Sequence, residues 1–233
     1  MSDTDVSHPA GSQPVGDSVV RLGVCVALIA WFVMVVGLGV RGAFVGPSGT
    51  PPIAMAMGFS APLLLFFAGL RIARPFRQFV LSLDLRLIAA VQAWRCAGFG
   101  FLVLYAYAIL PGTFALPAGL GDIAIGFAAP WIVLALVRRP GFASSRWFVG
   151  WNVLGMLDLA VAVVLGAAGA ALTTGAPGEI STAPLATLPL LLIPAYFVPL
   201  FIMLHSVALM QSRGLSRAQA GQVLRKPRAL STP

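Results

Sequence analysis

The sequence predicts an all-α integral membrane protein, a six-transmembrane-helix bundle with both termini inside the cell (N-in/C-in). Three observations carry this. Of the 233 residues, 59 % are hydrophobic and 9 % charged, and mean hydropathy is +0.94, whereas an ordinary soluble domain carries about 25 % charged residues. The apolar residues gather into six runs of roughly the 20 residues that cross a hydrocarbon core. Basic residues, finally, fall on alternate connections between those runs. This composition excludes a soluble enzyme, a disordered chain and a disulfide-stapled secreted domain.

In chain order, residues 1–18 hold Asp3, Asp5 and Asp17 among Ser, Pro and Gly, without a basic residue, and read as a disordered acidic cytoplasmic tail. A secretory signal would begin with positive charge, so the first helix is expected to be retained. The transmembrane domain is expected over 19–211, with spans at 19–40, 53–72, 87–110, 118–137, 147–169 and 187–211. Residues 73–86 mix charges with apolar residues at helical spacing, which reads as an interfacial helix or as a short solvated loop. Residues 212–233 read as a basic cytoplasmic tail. Pro117 suits the first turn of the fourth helix, which places Asp122 near that helix's positive end. Pro130, Pro189, Pro194 and Pro199 predict kinks, and the carbonyls they free predict a pocket opening outward beside Tyr196.

Thirteen of the 15 basic residues flank one side of the predicted bundle, the exceptions being Arg41 on the other side and Arg95 inside a span. The positive-inside rule then gives the N-in/C-in orientation and a bacterial inner (plasma) membrane location. The net charge of +8 reads as a cytoplasmic skirt facing the anionic headgroups of the lipid bilayer. Nucleic acid is the poorer partner, because the basic residues are dispersed without an aromatic platform.

Ionisable groups inside a span are costly and mark either assembly contacts or sites. Arg95, Asp122, Asp158 and His205 are such groups, with Gln92 and Asn152 as polar neighbours. Counting rise from the flanking arginines puts Arg95 about 13 Å deep, Asp158 about 18 Å, His205 about 12 Å and Asp122 about 24 Å. Arg95 and Asp158 are therefore expected to pair, with Asp122 at the outer end of the cluster. One reading is an ion pair that fixes which helices touch. The other is a ligand, proton or ion site in which Arg95 holds an anionic group and Asp158 or His205 exchanges a proton. Haem bound through His205 has weak support, since no second intramembrane histidine exists. A short repeat, Gly-x-x-Asp followed by apolar, Ala, apolar and small residues, occurs at Gly119–Gly126 and at Gly155–Ala162, in spans of opposite direction.

Absences weigh against catalysis without deciding it. The single lysine is Lys226 in the tail, and there is no His-Glu-x-x-His or Walker A motif. Gly58-Phe-Ser60-Ala-Pro62 lacks the second glycine of a hydrolase elbow. Cys25 and Cys96 lie in apolar runs, away from any metal-binding spacing, and no metal or cofactor is expected. The expected function is a small transporter or a binder of a small or lipidic ligand; the alternative is a non-catalytic structural or accessory subunit.

Four stretches carry a resemblance: Gln92-Ala-Trp-Arg95-x-x-Gly98; Leu110-Pro-x-x-Phe114-Ala-x-Pro117-Ala-Gly119-x-Gly121-Asp122-x-x-x-Gly126; Trp151-Asn152-x-x-Gly155-x-x-Asp158-Leu; and Ile193-Pro-x-x-x-Val198-Pro-Leu200. Over residues 85–211 the chain resembles a group of bacterial multi-pass integral membrane proteins with no assigned activity. The resemblance implies a helical membrane fold and brings no substrate or cofactor with it.

Overall fold

The computed structural model describes residues 15–225; most of the expected acidic tail and the last residues of the basic tail lie outside that range. Among the described residues all regular structure is helical, and six helical stretches are long and apolar enough to cross a membrane. α1 spans Val15–Val40, α2 Ile53–Ile72, α3 Arg74–Leu81, α4 Leu85–Val91, α5 Phe99–Ala106, α6 Gly112–Arg138, α7 Arg146–Leu172 and α8 Val198–Arg225. α4 and α5 are joined without a break by a 3₁₀ stretch, Gln92–Gly98, to make the third span. α1 begins inside the segment expected to be a tail. At the other end α8 carries residues 212–225 as helix.

Residues 74–81 form a helix. Its Arg74 and Arg77 are exposed while Phe76, Phe79 and Val80 pack with Leu70, Ile88, Phe148 and Val207. Amphipathic spacing, rather than any strong capping group, makes this segment helical.

α6 departs from expectation in an instructive way. It starts at Gly112, not at Ala118, and Pro117 lies inside it. The lost backbone bond at Pro117 is outweighed by Leu110, Phe114, Ala115 and Ala118, all buried with Phe101 and Leu185. As a result Asp122 sits in the third turn of α6, too far from the N-terminus to gain from its dipole, and its compensation comes from a neighbouring helix instead. The sixth span starts later than predicted, at Ile193, and runs further, to Gly221. Residues 188–191 form turns, Ile193–Phe197 form a π-helical stretch and α8 continues from there, because Pro189 and Pro194 withhold the donors a continuous helix needs.

The third span and α6 form the centre of the bundle, with α7 and then α8 layered against them. Glycine makes the approach possible. A Cβ on Gly126 would lie 2.6 Å from the Cys96 backbone nitrogen, and one on Gly119 would lie 3.0 Å from the Gly98 carbonyl oxygen. α1 sits at the periphery, its surface mostly apolar and exposed.

This seam makes a paired prediction. Gly126→Ala forces backbone against backbone and is expected to lower stability by about 1–3 kcal/mol. Gly150→Ala on α7, where an added Cβ meets nothing within 4 Å, is expected to be neutral or to stabilise by up to about 1 kcal/mol. Thermal melting of the purified variants in detergent separates the two.

Candidate functional site

Three residues per turn place Gln92, Arg95 and Gly98 above one another on the 3₁₀ stretch, and these are its buried positions. Gly98 leaves room for the Asp122 side chain, and Gly121 for that of Asp158. Arg95 therefore reaches between three helices. Its Nε donates to Asp122 Oδ1 of α6 at 2.7 Å, and its Nη2 donates to Asp158 Oδ2 of α7. Nη1 donates to the Gly155 carbonyl at 3.1 Å and to His205 Nε2 of α8 at 3.2 Å.

The hydrogen-bond roles define the imidazole. An arginine N–H can only donate, so Nε2 of His205 accepts and the ring proton resides on Nδ1. Nδ1 then donates to Asn152 Oδ1 at 2.9 Å, and the Asn152 amide nitrogen donates to the Phe148 carbonyl at 2.8 Å. Both ring nitrogens are engaged, which leaves neither for an axial bond to haem iron. Ser206 points elsewhere, its hydroxyl donating to the Ile202 carbonyl.

The two copies of Gly-x-x-Asp converge on one guanidinium. Asp122 and Asp158 flank Arg95 from antiparallel helices, and in the second copy Gly155 supplies its carbonyl as well. The cluster thus holds two carboxyl groups against one cation. Gln92 is not part of it: the side chain is fully buried and neither amide atom has a hydrogen-bond partner among the described residues.

A cavity of about 210 Å³ leads toward this cluster from the end of the bundle opposite the basic flanks. Its mouth is formed by the α1–α2 connection around Gly46–Thr50 and by the connection after α7, including Thr173 and Thr182. Its walls are Phe59 of α2, Phe101 and Phe114 near the α5–α6 turn, Ala162, Gly166 and Ala170 of α7, and Ile193, Pro194 and Val198. Asp122 lies at its inner end and is the only ionisable residue of the lining. The side chain of Asp122 is 16 % exposed while that of Arg95 is 0 % exposed. The expected pocket beside Tyr196 is displaced to the other face of the same segment. Tyr196 itself packs on Trp31 and Phe32 of α1.

The lining was hard to find from sequence. Its best signal is Ala162, Gly166 and Ala170, small residues four apart on one helix face. Thr182 is buried and donates to the Gly166 carbonyl at 2.9 Å. Glu179 organises the same loop, its carboxylate accepting from the backbone of Thr174, Gly175 and Ala176 and from the Thr174 hydroxyl. These donors, those of Thr174 foremost, hold its carboxyl down at about 2.

Residues 52–213 match the family described as "Domain of unknown function (DUF8737)". Comparison with curated proteins and with solved structures finds no match.

Two predictions arise from this geometry. With two carboxyl groups on one cation, Asp122→Asn or Asp158→Asn alone leaves a one-to-one pair and is expected to cost less than about 2 kcal/mol, whereas Arg95→Leu, or both Asn changes together, leaves unbalanced charge and costs about 3–5 kcal/mol. Melting temperatures across the set test this order, and simple additivity of the two Asn changes would show that the carboxylates do not share Arg95. The second concerns Glu179. Its folded carboxyl titrates below its ordinary value, so its ordering of the loop is complete above about pH 4.5 and is lost as pH falls toward about 2. Protease cleavage between Thr173 and Thr182 should rise over that window in the wild type and be high at all pH values in Glu179→Ala.

Proposed function

The chain belongs to the DUF8737 family, and from that premise we propose that it is a small multi-pass membrane transporter or binder that takes a small or lipidic ligand into the cavity ending at Asp122. One observation carries this reading: the cavity wall is apolar, and the polar group at its inner end is coupled directly to the buried Arg95 cluster. Mostly apolar pockets with a few fixed polar groups are the usual form of ligand sites. At about 210 Å³ the space suits a small ligand or one lipid tail; drug-sized pockets run from about 300 Å³ upward.

The orientation follows from charge. Arg71, Arg74, Arg77, Arg86, Arg138, Arg139, Arg146, Arg213 and Arg217 flank one end of the described bundle, and Arg41 the other. With the crowded end in the cytoplasm of a bacterium, both termini are inside, the arginines meet anionic headgroups of the inner membrane, and the cavity opens outward.

A second reading has its own support. Arg95 is sealed from the cavity and four of its five N–H groups are directed to protein acceptors, the arrangement expected of a non-catalytic accessory subunit whose charges serve helix assembly.

One cysteine distinguishes these readings. In a background with Cys25 and Cys96 replaced by alanine, Ala162→Cys is expected to react with a small membrane-impermeant thiol reagent added outside spheroplasts. Reaction only in inverted vesicles would reverse the orientation. Reaction in neither would mean a closed interior and favour the accessory role.

A further inference from the structure

The ligand's charge can be read from what lines the cavity and from what does not. No arginine, lysine, histidine, asparagine or glutamine is among the lining residues, so an anionic group entering it would find no charged or amide donor. Arg95, the nearest cation, is 0 % exposed and bound to protein acceptors, which rules it out as the anion holder that its position in the sequence suggested. Two of the lining hydroxyls, those of Thr50 and Thr182, donate to the Pro47 and Gly166 carbonyls. The inner end, by contrast, presents Asp122. Its Oδ1 takes Arg95 Nε, and its Oδ2 has no hydrogen-bond partner among the described residues. Two carboxyl groups share the single guanidinium, so the cluster is one positive charge short of balance if both are ionised. Phe44, Phe59, Phe101 and Phe114 supply aromatic surface along the way, and aromatic faces attract cations and repel anions.

Resting on the cavity reading above, we propose that the ligand is an amphipathic cation, an alkylammonium whose nitrogen donates to Asp122 while its apolar body lies among Phe59, Phe101, Phe114 and Leu159. A charge-assisted hydrogen bond of this kind is what the unpartnered Oδ2 and the second carboxyl group on one cation both call for. The chain's net charge of +8 disfavours nonspecific attraction of cations, so selectivity for one must come from a local site.

The test uses hexylammonium, hexanol and hexanoate as probes, which share a body and differ in the head. Binding is followed by calorimetry on the full chain in nanodiscs of zwitterionic lipid, with the cavity-filling variant Ala162→Phe as the measure of partition into lipid. Hexylammonium is expected to bind the wild type about 10- to 100-fold tighter than hexanol, with hexanoate weakest, and Ala162→Phe should remove the signal. In Asp122→Asn, which keeps an acceptor for Arg95, the ammonium's advantage over hexanol should vanish. If hexanol or hexanoate binds the wild type as tightly as hexylammonium, and Ala162→Phe still abolishes it, the cationic class falls while the cavity stands. If no probe distinguishes wild type from Ala162→Phe, the cavity reading falls with it. The comparison of three probes on the wild type needs no variant at position 122, so a folding defect in Asp122→Asn leaves the outcome decided.

Discussion

A guanidinium with no solvent in reach has to be surrounded by acceptors, and the centre of this bundle is organised around that demand. Arg95 takes its acceptors from α6, α7 and α8 at once. Each of those helices must then come within hydrogen-bonding distance of a single side chain on the third span. Close approach in turn requires the absence of side chains, which is why glycines stand at 98, 119, 121, 126 and 155, each beside the span, the cluster or His205. An added Cβ at Gly155 would collide with the His205 ring and lie 3.1 Å from Arg95 Nη1. The glycines and the charges are thus one constraint seen from two sides: the charges need proximity, and only hydrogen at those positions permits it.

The third span meets this demand by changing its pitch. A 3₁₀ turn places residues three apart in register, so Gln92, Arg95 and Gly98 form one buried stripe, and Trp94, between them, turns 73 % exposed toward the outside. A regular α-helix would have rotated successive members of that stripe by about 60° from one another and broken its alignment. The stretch carries a cost that is visible in Gln92, whose amide is buried without a partner; an unsatisfied group of this kind costs roughly 1–3 kcal/mol. Packing against α6 offsets it.

Much of the fold was legible in composition alone, because a helix crossing lipid must be apolar over its whole length and six such runs are hard to mistake. The pairing of Arg95 with Asp158 was legible too, through depth. Asp122 was expected at the outer end of the cluster and bonds Arg95 directly, but the same arithmetic overstated its distance, putting it about 11 Å outside Arg95. The error has identifiable sources: the 3₁₀ rise of about 2.0 Å lifts Arg95 outward, and counting from flanking arginines assumes that every span ends at one level. The cavity was the least legible part. It is lined by residues from the α1–α2 connection, α2, α5, α6, α7 and the start of the sixth span, and no local pattern records which helix faces will meet. Only the small-residue row on α7 pointed toward it, and that row reads equally well as ordinary helix packing.

The π-helical stretch Ile193–Phe197 joins two parts of the molecule that otherwise have little to do with each other. On one face Ile193 and Pro194 form cavity wall, and on the other Tyr196 is clasped by Trp31 and Phe32 of α1 while its hydroxyl donates to the Leu28 carbonyl at 3.4 Å. α1 is the helix with the most apolar surface left uncovered, and it leans on the bundle mainly through this stretch, its flanking turns and α3. Trp31 and Phe32 on one side and the cavity wall on the other are therefore held by the same five residues, so that a change in how α1 seats on Tyr196 acts on Ile193 and Pro194 as well.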